Sequence, residues 1–240
     1  AFASDEQVAS GEIKIIAHES LLSILINNAT LVGPILALRA LYSFGNLIEH
    51  GPKGHVNCGL GPALLREGAS FIAPSLTFAE RLDITLAGVR REFRYAPSEA
   101  DDEIVIWLPD LQVLLSAEVI QGECFANVHT LRGTTYRDPV KWYKSIDMMR
   151  GFGAGFMVPA HGRPVAGRDH VQELLTAYRD AIQFVHDQTV RHMNRGANES
   201  DGASAARAAG GDVVTVERVT RETTIRLTLR RIDPSSTNEN

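Results

Sequence analysis

Hydrophobic positions change their period twice along this chain. From Ile13 to Ala17 a short apolar run passes directly into His18-Glu19-Ser20 and then the helical stretch Leu21 to Asn28, an alternation that predicts α/β layering. A second helix is predicted after Pro34, and both are apolar enough to read as buried helices. Asn27, Asn28, Thr30 and Gly33-Pro34 break the stretch before about 18 clean apolar residues accumulate, so no membrane span is expected. Between Gly45 and Gly68 the glycines and prolines predict a long irregular loop. From Ser70 the period falls to two. Leu82, Ile84 and Leu86 alternate with polar neighbours, Gly88 marks a turn, and Val89, Phe93 and Tyr95 return as a second strand. Ile104 to Leu108, the Pro109-Asp110 turn and Leu111 to Leu115 predict another hairpin.

Further on, Asp138 followed by Pro139 is a helix-start signature for a helix reaching about Met149, and Phe156 to Pro159 predicts a brief strand. Asp169 is expected to cap a long helix whose apolar face carries Val171, Leu174, Leu175, Tyr178, Ile182 and Val185. Residues 197–211, rich in Ala, Gly and Ser, read as a linker. Residues 212–240 read as a short β segment, one long strand or a hairpin, followed by a polar tail. The chain opens Ala1-Phe2-Ala3-Ser4 without Met, and the expectation is a processed start or a piece of something longer.

Composition narrows the classes. Twenty-four Lys and Arg against 29 Asp and Glu leave a net charge of −5, which argues against a nucleic-acid coat. Hydrophobic residues at 44% exclude disorder of the whole chain. The two cysteines, Cys58 and Cys124, make neither a disulfide framework nor a CxxC pair, and the compartment stays open.

Chemistry is expected where strands end, because a sheet positions the loops that follow it. Glu118 follows one strand, His161 follows another, and Glu99 lies after Ala96-Pro97. A carboxylate and imidazole metal site fits these residue types, and so do plain solvated loop residues. His50, His55 and Cys58 have no common zinc spacing and read as loop residues. Arg137, Lys141 and Lys144 are either a positive approach for an anion or a solvated helix face.

The segments WLPDLQVLLSAE ending at Glu118, NVHTLRG from Asn127 to Gly133, YRDPVKWYKSID from Tyr136 to Asp147 and PAHGRP from Pro159 to Pro164 resemble the alkylsulfatases of the metallo-β-lactamase superfamily. VASGEIKIIAHESLL from Val8, RALYSFG from Arg39 and HDQTVRHMNRG from His186 are similar to that family too, so the resemblance covers residues 1–196. It implies an α/β (α+β) fold of the metallo-β-lactamase-like αβ/βα sandwich type, present in part, with a mixed or antiparallel sheet and flanking helices. It also implies a two-zinc hydrolase of primary alkyl sulfates that forms a homodimer when complete.

Under that resemblance Glu99, Glu118 and His161 are metal ligands, with Glu118 following Glu99 by the family's 19 residues. Asn127 and Arg132 bind sulfate, and His129 is not a ligand. The superfamily's HxHxDH motif is absent from these residues and belongs just before Ala1 in the family's order, so the chain alone is expected to be inactive. Rival readings keep the fold with another hydrolytic substrate, or take the chain as a non-enzymatic binding or dimerisation module.

Overall fold

The structure is a computed structural model of all 240 residues. It describes residues 3–45, 47–56, 71–122, 124–128 and 136–195, and the backbone of 213–219 and 224–230. The chain divides into two units, Ala1–Arg179 and Asp180–Asn240.

In the first unit, helix α1 (Asp5–Ala9) is closed by a capping box in which the Ser4 hydroxyl and the Gln7 side chain each satisfy the other's backbone N–H. Strand β1 (Ile16–His18) pairs in parallel with β2 (Leu76–Phe78), and between them lie α2 (Leu21–Thr30) and α3 (Gly33–Phe44). The remaining strands are β3 (Arg81–Leu86), β4 (Val89–Tyr95), β5 (Ile104–Leu108), β6 (Val113–Ala117), β7 (Phe156–Pro159) and β8 (Val165–Ala166). They form one six-stranded sheet in sequence order, antiparallel except for the parallel pair β6 and β7. That parallel step needs a crossover, and helix α4 (Pro139–Arg150) lies within it.

Residue types account for these elements. Ala87 and Gly88 both take positive φ between β3 and β4, the backbone that a tight two-residue hairpin demands. The Asp138 carboxylate accepts the N–H groups of Val140 (2.9 Å) and Lys141 (3.2 Å), so α4 starts where expected and runs one residue past Met149. Trp142, Ile146 and Met149 of α4 are fully buried with Leu114 of β6 and Met157 of β7. The long helix α5 begins at Arg168, with Asp169 in its first turn rather than as its cap. Its Val171, Leu174, Leu175 and Tyr178 are buried. In the second unit, β9 (Val213–Val219) and β10 (Thr224–Arg230) form an antiparallel hairpin, the second of the two forms expected there.

Three expectations need correction. The first strand starts at Ile16 rather than Ile13, and the strand expected over Leu111 to Leu115 is Val113–Ala117, because Leu111 and Gln112 are used in the turn, Gln112 with φ of 54°. The helices α2 and α3 are not buried: neither holds a buried residue, and Leu31 is 74% and Tyr42 86% exposed. Apolar composition specifies a surface that gains by being covered and says nothing of what covers it. Among the described residues no single helix is long and apolar enough to cross a membrane; α2 and α3 together reach that length but are bent by 74°.

The loop expected from Gly45 to Gly68 is described only as far as Val56. There His50 and His55 form an isolated bridge with their rings 4.8 Å apart. Cys58 and His129 lie outside the described residues.

Candidate active site

The end of β6 is where the backbone departs from regular geometry. A bulge at Ser116 shifts the register against β7, and Ala117 then takes φ of 47°. A non-glycine residue in that region is strained by about 1 to 2 kcal/mol, and such strain gathers where a side chain must be re-aimed. The residue re-aimed is Glu118. On the neighbouring strand, β7 ends at Pro159, and the backbone N–H of Ala160 donates to Ala117 O at 2.9 Å. His161 follows, and its Nδ1 contacts Glu118 Oε1.

Two glycines permit this approach. A Cβ at Gly162 would lie 2.9 Å from the Gly122 Cα, and Gly162 has φ of +90°, so any other residue there meets both a backbone collision and a strained conformation.

Glu99 sits in the loop between β4 and β5. Its Oε1 receives the Arg137 guanidinium at 2.5 Å, and Arg137 also donates to the Asn127 carbonyl. Arg137 is 8% exposed and precedes α4, so it is neither an open anion approach nor part of a solvated helix face. Lys141 and Lys144 do lie on the exposed face, Lys141 within 3.8 Å of Asp101. The Asn127 N–H in turn donates to Gln121 Oε1 at 2.9 Å, and Gln121 Nε2 reaches Glu118 Oε2 at 3.5 Å. Arg132 lies outside the described residues.

Two supports hold these loops to the core. The Trp142 indole donates to Val119 O at 2.9 Å, and the Gln121 N–H donates to the Tyr178 hydroxyl at 3.3 Å. Burial, with Cys124, Glu99 and Glu118 nearby, pushes the Tyr178 phenol far up, so it stays neutral.

A cavity of about 520 Å³ opens onto Glu99, Glu103, Glu118, Asp102, Ile16 and His18. His18 is 8% exposed; its ring stacks on Tyr95 at 4.1 Å and its Nδ1 lies 2.7 Å from the Ser20 hydroxyl. Glu103 accepts the Glu118 N–H at 2.5 Å and the Ser98 hydroxyl, and burial raises its carboxyl to about 7 despite these bonds.

The structure therefore brings Glu118 and His161 into contact and links Asn127 to Glu99 through Arg137. Sequence reasoning missed Glu103 and Gln121 and misplaced Arg137. One available signal was the position of Arg137 directly before the Asp138-Pro139 helix start, which puts it on the preceding loop rather than on the helix face.

A zinc ion takes four donors in a structural site, or three protein donors plus water in a catalytic one. Among the described residues no three His, Cys, Asp or Glu side chains are arranged so that they could hold a metal ion. Glu118 and His161 make two, and Glu99 is engaged by Arg137. The donors described do not by themselves fit a zinc ion.

The chain is 56% identical over 197 residues to a linear primary-alkylsulfatase from Pseudomonas sp. (strain ATCC 19151), a match covering 82% of this chain and 37% of that protein. It is 36% identical over 208 residues to the alkyl/aryl-sulfatase BDS1 of Saccharomyces cerevisiae, covering 85% and 32%. Among solved structures, the stereoselective inverting sec-alkylsulfatase Pisa1 from Pseudomonas sp. superposes with a TM-score of 0.73 at 26% identity, over 86% of this chain and 33% of that one. The chain thus spans 37% or less of the length of these relatives. It matches no protein-family model.

Proposed function

From a chain that is homologous to the alkylsulfatases over 82% of its own length, we propose that the protein it belongs to hydrolyses primary alkyl sulfates. Water and the ester give an alcohol and inorganic sulfate. The observation that carries this reading is the contact of His161 with Glu118, two residues from separate family-like motifs that meet at adjacent strand ends.

On this reading Glu99, Glu118 and His161 are three ligands of a metal site whose other donors lie outside the described residues. Zinc is the ion that this mix of nitrogen and oxygen donors suits. Asn127 and Arg132 bind the sulfate group, since a guanidinium offers paired N–H donors to a tetrahedral oxyanion and stays charged at every working pH. The chain by itself, whose described residues supply only part of that donor set, is then inactive. That same incompleteness favours a second reading for the isolated chain, as a binding or dimerising half-domain without catalysis.

The test is release of inorganic sulfate from dodecyl sulfate by the whole protein. Glu118→Gln is expected to lower kcat by about 100-fold or more, and Arg132→Ala to raise KM about tenfold. Cleavage of a lactam or thioester with dodecyl sulfate untouched contradicts the substrate assignment.

A further inference from the structure

Glu103 closes the loop between β4 and β5, immediately before Ile104, and its carboxyl faces two segments at once. Oε1 accepts the backbone N–H of Glu118 at 2.5 Å, and Oε2 accepts the hydroxyl of Ser98, the neighbour of Glu99. The loop's own backbone is fixed around it by Ala96 N–H to Glu103 O at 2.8 Å. Among the described residues Glu103 forms no ion pair, so it holds a costly half-buried position through hydrogen bonds alone. We propose that Glu103 is a positioning residue, a clamp that joins the loop carrying Glu99 to the strand end carrying Glu118 and so sets the separation of those two carboxylates.

The surrounding contacts support this. Arg137 ties Glu99 to the Asn127 carbonyl, and Gln121 ties the Asn127 N–H to Glu118. Glu103 and Ser98 complete the other side, so Glu99 and Glu118 are joined through two routes. The functional weight of the clamp rests on the proposed roles of Glu99 and Glu118; its existence does not.

Amide hydrogen exchange of the 240-residue chain, followed by NMR, tests it in Glu103→Gln, Glu103→Leu and Ser98→Ala. Glutamine keeps an acceptor for the Glu118 N–H and can donate to the Ser98 oxygen, so exchange at Glu118 stays within about twofold of wild type. Leucine removes both acceptors. Exchange at Glu118 then speeds up about tenfold, and the Ser98 and Glu99 resonances move with it. Ser98→Ala, although on the other loop, moves the Glu118 amide resonance. Unchanged exchange in Glu103→Leu, or a glutamine variant as perturbed as the leucine one, overturns the clamp. Should the leucine variant not fold, a Glu118 amide that ignores Ser98→Ala overturns it equally. Sulfate release by Glu118→Gln in the whole protein separates the two readings: a kcat equal to wild type counts against the ligand role of Glu118, while the exchange rates still judge the clamp.

Discussion

His161 Nδ1 rests against Glu118 Oε1 because two loops, one after β6 and one after β7, approach closely through Gly122 and Gly162. A side chain at Gly162 removes that approach. Gly162→Ala is expected to cost about 2 to 3 kcal/mol, from the strained φ together with the backbone collision. Gly88→Ala, with φ of +74° but open space around it, should cost only about 1 kcal/mol. Urea unfolding of both variants measures the difference, and equal losses would remove the argument for a tight glycine contact.

Glu103 gives the fold a pH dependence of definite sign. Burial raises its carboxyl from 4.5 to about 7, so between those values the folded chain holds a proton that the unfolded chain has released. Stability therefore falls as pH rises from 4.5 to about 7 and is flat above, by on the order of 3 kcal/mol at most. Glu103→Gln should flatten that part of the profile. Denaturation midpoints at several pH values in wild type and variant check it, and identical slopes would show that Glu103 titrates normally.

Arg137 is a nearly buried cation paired with a carboxylate. Its side chain is 7% exposed against 19% for Glu99, and removing one partner leaves the other charge poorly solvated. Arg137→Met is expected to destabilise by about 3 kcal/mol. Arg137→Lys should recover little, since an ammonium cannot serve Glu99 and the Asn127 carbonyl with a planar fork. Full recovery with lysine would mean that charge alone matters there.

Tyr42 and Leu31 tell a different story. Tyr42 lies on α3 and Leu31 just past the end of α2, and both are largely exposed, so Leu31→Gln and Tyr42→Gln should leave unfolding free energy within about 0.5 kcal/mol of wild type. Light scattering of the purified chain should fall, because the open apolar surface shrinks. A large loss of stability would show that α2 and α3 are packed after all.

Local signals made much of the sheet legible. Alternation and turn residues locate β3 to β5, β6 begins two residues later than its pattern predicts, and β7 matches to the residue, because each rests on neighbours in sequence. The Asp138-Pro139 start of α4 was readable for the same reason. That Glu118 and His161 follow strand ends was visible; that they touch depends on the Ser116 bulge, the φ of Ala117 and the Gly122–Gly162 approach, none of which has a sequence signal. Glu103 and the role of Arg137 have no local signal because their partners lie on other segments, and Gln121 has none because its contact with Asn127 depends on how its own loop folds back. The exposure of α2 and α3 was misread because hydropathy reports a tendency to be covered, not the covering.

Elemental analysis of zinc in the purified 240-residue chain, paired with sulfate release from dodecyl sulfate, tests the central claim most directly. With the donors described here, the chain should retain no stoichiometric zinc and release no sulfate. A pair of bound zinc ions with sulfate release would contradict the account, showing that the chain completes the site with donors of its own.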